Sequence, residues 1–141
     1  MKDKTLLIKN LLDEITRLPD FLQRIAEELS LAHETVASLN LALEEAMVNS
    51  IQYAYPSPGE GEISLDAHWD ASTGNLQFTL TDSGTPFDPT TIPEADITLS
   101  VEERPIGGLG IFLIRQIMDE VSYRYEEERN VLVMTKNITG K

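Results

Sequence analysis

The chain has 141 residues, 41% apolar and 25% charged, which is the length and composition of about one globular domain with a single core. No apolar run reaches the about 18 residues of a membrane span, the start MKDKTLLIKN lacks a signal-peptide core, and there is no cysteine for disulfides or thiolate chemistry, so a cytoplasmic location is expected. A net charge of −13 argues against binding to nucleic acid or to an anionic membrane.

The predicted elements, in chain order, begin with a short strand at Lys4–Lys9. Apolar residues at helical spacing follow over Leu11–Leu29, with a break expected near Leu18 because Pro19 removes a backbone donor. A long helix is expected from His33 to Tyr55, stopped by Pro56-Ser57-Pro58-Gly59. A strand pair, Glu62–Trp69 and Leu76–Thr81, is joined by a polar turn. From Asp82 to Gly108 runs a stretch punctuated by four prolines, longer than ordinary connections, which reads as a functional lid. A helix over Gly108–Glu120 opens on glycine, and a hairpin of Val121–Glu127 and Val131–Asn137 closes the chain around Glu128-Arg129-Asn130. The order predicts an α+β fold with helices on one face of a mainly antiparallel sheet.

The charge is unevenly placed. No lysine or arginine occurs between Arg24 and Arg104, while fifteen acidic residues do. A polyanion bound in that stretch has to be held by a metal ion, backbone N–H groups and helix N-termini.

Three constellations could do this. Glu45 and Asn49, spaced i and i+4, share one face of the long helix. They read either as part of a solvated polar stripe or as functional groups. In the second case Asn49 offers an amide oxygen to magnesium and Glu45 accepts a proton from an attacking hydroxyl or water. Glu44 points about 100° away and is the weaker partner. The string Thr81-Asp82-Ser83-Gly84-Thr85-Pro86-Phe87-Asp88 directly follows a strand. It reads as a turn, or as a site where Asp82 accepts a hydrogen bond from an exocyclic amine and Gly84 lets a flat ring approach. Gly107-Gly108-Leu109-Gly110 at a helix start is a hinge or a phosphate cradle; no Gly-Lys-Ser/Thr follows, so it is not a P-loop.

Together and in that order, the three resemble the ATP-binding fold shared by gyrase, histidine kinases and MutL. The strings Leu43-Glu44-Glu45-Ala46-Met47-Val48-Asn49-Ser50, Asp82 to Asp88, and Gly108-Leu109-Gly110-Ile111-Phe112-Leu113-Ile114 with Met118-Asp119 are similar to those of the anti-sigma-factor serine kinases of the RsbW and SpoIIAB type. The similarity runs from the first strand to the closing hairpin. It implies one histidine-kinase-like ATPase domain over 1–141, a two-layer sandwich with a mixed, mainly antiparallel sheet and an ATP lid at about 85–107. It implies ATP and Mg²⁺ as cofactors, Glu45 as catalytic base and Asn49 as magnesium ligand. Asp82 then receives the adenine amine, Gly84 lies under the ring, Phe87 joins the nucleotide site, and Gly107, Gly108, Leu109 and Gly110 face the phosphates. Arg104 stands further from the glycines than the lid arginine often present in the family, behind Pro105-Ile106.

The expected function is a Mg-ATP-dependent serine/threonine kinase and anti-sigma factor that phosphorylates a small antagonist protein. Its partners are then a sigma factor and that antagonist, with a homodimer implied through the edge near the first strand. The alternatives are a nucleotide-binding anti-sigma module without kinase activity and a stand-alone ATPase of the same superfamily.

Overall fold

The computed structural model describes residues 1–91 and 108–138. Five strands form one sheet in the order β1-β2-β3-β5-β4, and every pairing among them is antiparallel. They are β1 (Lys4–Lys9), β2 (Glu62–Asp70), β3 (Asn75–Asp82), β4 (Glu120–Glu126) and β5 (Arg129–Asn137). Three helices, α1 (Leu18–Leu29), α2 (His33–Tyr53) and α3 (Gly108–Ile117), complete the second layer.

Alternation along the strands decides which face the helices cover. In β3, Leu76, Phe78, Leu80 and Asp82 are buried while the residues between them are only partly so. The register carries this face across the sheet, Leu6 opposite Leu65, Leu65 opposite Leu80, and Leu80 opposite Leu132. Against it α2 lays Leu39, Leu43, Ala46 and Met47, α1 lays Leu22 and Ile25, and α3 lays Ile111 and Ile114, forming one core. Phe78 is fully buried at its centre. Truncating it to alanine costs about 3–5 kcal/mol through lost contacts and a residual cavity.

The predicted β1 has the observed bounds. Pro19 breaks the first helical stretch as expected, into a 3₁₀ segment over Leu12–Arg17 and α1, with the proline in the first turn where its missing donor does no harm. Elsewhere the ends shift by a few residues: α2 stops at Tyr53 and α3 at Ile117, after which Glu120 already belongs to β4. The closing turn differs in kind. Glu127 and Glu128 both take positive φ, 52° and 61°, making a two-residue hairpin turn that matches the twist of the flanking strands. Asn130 consequently lies inside β5 and pairs with Tyr125, not in the turn.

No helix among the described residues is long and apolar enough to cross a membrane.

Candidate functional site

The apolar row of β3 ends in a carboxylate. Asp82 occupies the next core-facing position after Leu80, beside the C-terminal half of α2, and is only 4% exposed. A buried carboxylate needs hydrogen-bond donors, and three reach it. The Gly84 N–H donates to Oδ1 at 2.9 Å, the Asn130 amide donates to the same oxygen at 2.8 Å, and the Ser50 hydroxyl donates to Oδ2 at 2.9 Å. An ionised carboxylate has about four lone-pair positions, so one on Oδ2 is left for a further donor.

Gly84 is required by packing. A Cβ there would overlap the Ala54 carbonyl, and the following Thr85 N–H donates to that carbonyl at 2.6 Å. The missing side chain thus lets the end of β3 close onto the C-terminus of α2, whereas the sequence suggested room for a ring. Tyr55 braces the same corner, its hydroxyl accepting from the Ser83 N–H and donating to the Glu62 carbonyl, both at 2.8 Å. Burial, the largest influence, pushes the Tyr55 phenol up, so it stays a neutral donor and acceptor.

Asn49 is buried at 4% exposed, one turn before Tyr53 on α2. This is not the surroundings of a solvated stripe. Its Nδ2 has no hydrogen-bond partner among the described residues, an unmet demand inside the site. An amide oxygen is the hard donor that magnesium accepts, usually alongside waters and phosphate oxygens. Among the described residues no cluster of three or more acidic or histidine side chains forms a metal cage. The Asn49 amide oxygen is a donor of the kind that would hold a magnesium ion.

Glu45 lies one turn before Asn49 and is half-buried. Desolvation by burial, and secondarily the charge of Glu44, raise its carboxyl above the ordinary glutamate value. A glutamate shifted in that direction is a stronger base once ionised.

Asn49, Asp82, Ser50 and Phe87 line one cavity together with Tyr123 of β4 and Asn130 of β5. The cavity holds about 20 Å³, room for about one water. Phe87 is stacked on Tyr53 with ring centroids 4.8 Å apart. The segment carrying it is tied down: Asn130 accepts from the Phe87 N–H at 2.9 Å and donates to the Thr85 carbonyl at 2.8 Å, while Arg115 of α3 donates to the Thr90 carbonyl at 2.6 Å.

The structure thus gathers Asn49, Asp82 and Phe87 around one cavity, with Glu45 on the adjoining turn of α2. Gly108, Leu109 and Gly110 form the first turn of α3, where backbone N–H groups lack helical partners. Gly107, Arg104 and most of the expected lid lie outside the described residues. Ser50, Tyr123 and Asn130 were not singled out from the sequence. Ser50 follows directly on the quoted Asn49, but a serine in a helix carries no signal of its partner.

The chain is similar to known proteins over most of its length. A family model described as a histidine kinase-like ATPase domain matches residues 8–136. The serine-protein kinase RsbW of Listeria innocua is 36% identical over 124 residues, 85% of this chain and 77% of that protein. The protein of the same name from Bacillus thuringiensis is 30% identical over 118 residues, 81% and 71% of the two chains. Among solved structures, the RsbU and RsbW domains of a Mycobacterium tuberculosis protein superpose with a TM-score of 0.70 at 13% identity, covering 98% of this chain and 33% of that one. At that identity the superposition speaks to the fold alone. The match over residues 8–136 and relatives of this similarity show that the chain belongs to the histidine kinase-like ATPase family, beside the RsbW serine-protein kinases.

Proposed function

We propose that this chain is a Mg-ATP-dependent serine/threonine protein kinase and anti-sigma factor, which phosphorylates a small antagonist protein in a partner-switching system. The observation that carries the reading is the Asp82 carboxylate: buried, lining a cavity, and bonded at three of its four acceptor positions. The remaining acceptor suits the 6-amino group of adenine, and a 6-oxo group there meets the carboxylate unfavourably. Phe87 supplies an apolar ring for the purine. The first turn of α3, with Gly108, Leu109 and Gly110, offers N–H groups to phosphates.

Asn49 would hold a magnesium ion, which would supply the charge neutralisation that this part of the chain has no lysine or arginine to provide. Glu45 performs the proton transfer. A serine or threonine hydroxyl oxygen bonds to the γ-phosphorus, the bond to the β–γ bridging oxygen breaks, ADP leaves, and the hydroxyl proton passes to the Glu45 carboxylate. Its raised basicity suits that task.

The test incubates the protein with labelled Mg-ATP and with candidate antagonist proteins encoded beside it. Label on a serine or threonine of one of them is expected. Tight Mg-ATP binding with no labelled partner would instead assign a nucleotide-binding module without kinase activity.

A further inference from the structure

Asn130 has more partners than any other side chain of the site, and no sequence motif marks it. It is 5% exposed and stands directly opposite Asp82 in the register of β3 and β5, so both side chains leave the sheet on the face that the helices cover. Its amide is saturated. Nδ2 donates to Asp82 Oδ1 and to the Thr85 carbonyl, each at 2.8 Å, and Oδ1 accepts from the Phe87 N–H at 2.9 Å and from the Tyr123 hydroxyl. Two of these partners fix which way the amide faces. A backbone N–H can only donate and a carbonyl can only accept, so turning the amide over breaks both bonds. Its NH₂ group is therefore held against the carboxylate.

The geometry points to Asn130 as the positioning residue of purine recognition, holding Oδ1 of Asp82 so that the open acceptor on Oδ2 is aimed at a 6-amino group. The inference rests on the adenine-nucleotide reading above. A carboxylate rotates easily about its last bond, whose torsional preference is broad. With Asn130 and the Gly84 N–H both on one oxygen, that oxygen is filled and any tilt of the carboxylate out of this plane weakens both bonds. The same amide holds Thr85 and Phe87, so one β5 side chain sets both the acceptor and the backbone that bears the cavity's aromatic ring.

The test uses the full chain and two nucleosides, adenosine and purine riboside, which differ only in the 6-amino group. Wild type is expected to bind adenosine about tenfold more tightly, the worth of one hydrogen bond to a charged acceptor. Asn130→Ala should bring the ratio of the two affinities close to one, on top of whatever common loss both nucleosides suffer from the freed Thr85–Phe87 backbone, because the lost aim matters to the amine alone. A preference left intact, or equal losses for both nucleosides as a purely structural role would give, overturns the inference. A wild type without preference overturns the adenine reading, and this inference with it. Should circular dichroism show Asn130→Ala unfolded, the side-chain amide signals of Asn130 in the wild-type ¹H–¹⁵N spectrum take over. They should move with adenosine and much less with purine riboside; equal movement overturns the inference.

Discussion

Ser50 of α2 and Asp82 of β3 meet across the helix–sheet interface, the hydroxyl donating to the carboxylate at 2.9 Å. With the serine on one side of Oδ2, the other side is left for a ligand's donor. Asp82→Asn keeps the shape but can turn a donor toward the adenine amine, so ATP affinity should fall by about 2–3 kcal/mol. Ser50→Ala leaves the carboxylate in place and should cost about 1 kcal/mol. Calorimetry with ATP and GTP checks both, and wild type should prefer ATP clearly. Equal affinity for the two nucleotides would remove the role given to Asp82.

The Tyr53–Phe87 stack leads to a second expectation. A cavity of about 20 Å³ takes one water, so a purine requires it to widen, and the expected movement is of the Phe87 ring from Tyr53 onto the base. Phe87→Ala should weaken ATP binding by about tenfold, the combined worth of an aromatic contact and its buried area, and Phe87→Leu should weaken it less. Loss of the cross-peaks between the two rings on adding ATP would report the movement directly. Tighter ATP binding by Phe87→Ala would make the ring a plug and not a contact.

The parts of the site that the sequence made legible are those written locally. Asp82 ends an alternating apolar strand, and Glu45 and Asn49 stand one helical turn apart, so short-range pattern alone places each on its element. Asn130 is 48 residues from the carboxylate that it bonds, and only the pairing of β3 with β5 joins them. Its own neighbourhood, Glu127-Glu128-Arg129, is a charged run without apolar alternation, which hides the start of β5. The hairpin instead turns on two glutamates with positive φ, an assignment that residue preference disfavours and strand twist enforces. At Gly84 the sequence suggests room for a ring and carries no sign of the packing around it. What makes glycine necessary there is the Ala54 carbonyl, which belongs to another element.

Magnesium should matter more than in sites that carry a phosphate-gripping lysine. No cationic side chain lies between Arg24 and Arg104, and Asn49 is the buried amide available to the ion. EDTA and Asn49→Ala should each weaken ATP binding much more than adenosine binding, because only the triphosphate depends on the ion. Titrations of both ligands, with and without EDTA, make the comparison. If ATP affinity is indifferent to EDTA, Asn49 serves the fold and not the ligand.

Glu45 separates a kinase from a binding module. Glu45→Gln is nearly isosteric and touches neither the adenine acceptor nor the first turn of α3, so ATP affinity should change little. Phosphoryl transfer to the antagonist should nonetheless fall by about 10²–10⁴-fold, the usual worth of a positioned general base. Glu44→Gln, aimed elsewhere on α2, should have a small effect. The pH dependence follows from the direction of the shift. Burial raises the folded-state value above the ordinary glutamate value, so transfer should rise with pH through that raised value and then level off. Stability runs the other way. The protonated form is the better tolerated in the folded chain, so Glu45 supports the fold below its ordinary value and loses that support as pH rises through the raised one. At pH 8 the glutamine variant should therefore melt no lower than wild type, which ensures that lost activity is not lost structure. Rapid-quench measurement of label transfer across pH, beside thermal melts, tests both halves together. Undiminished transfer by Glu45→Gln assigns the base elsewhere.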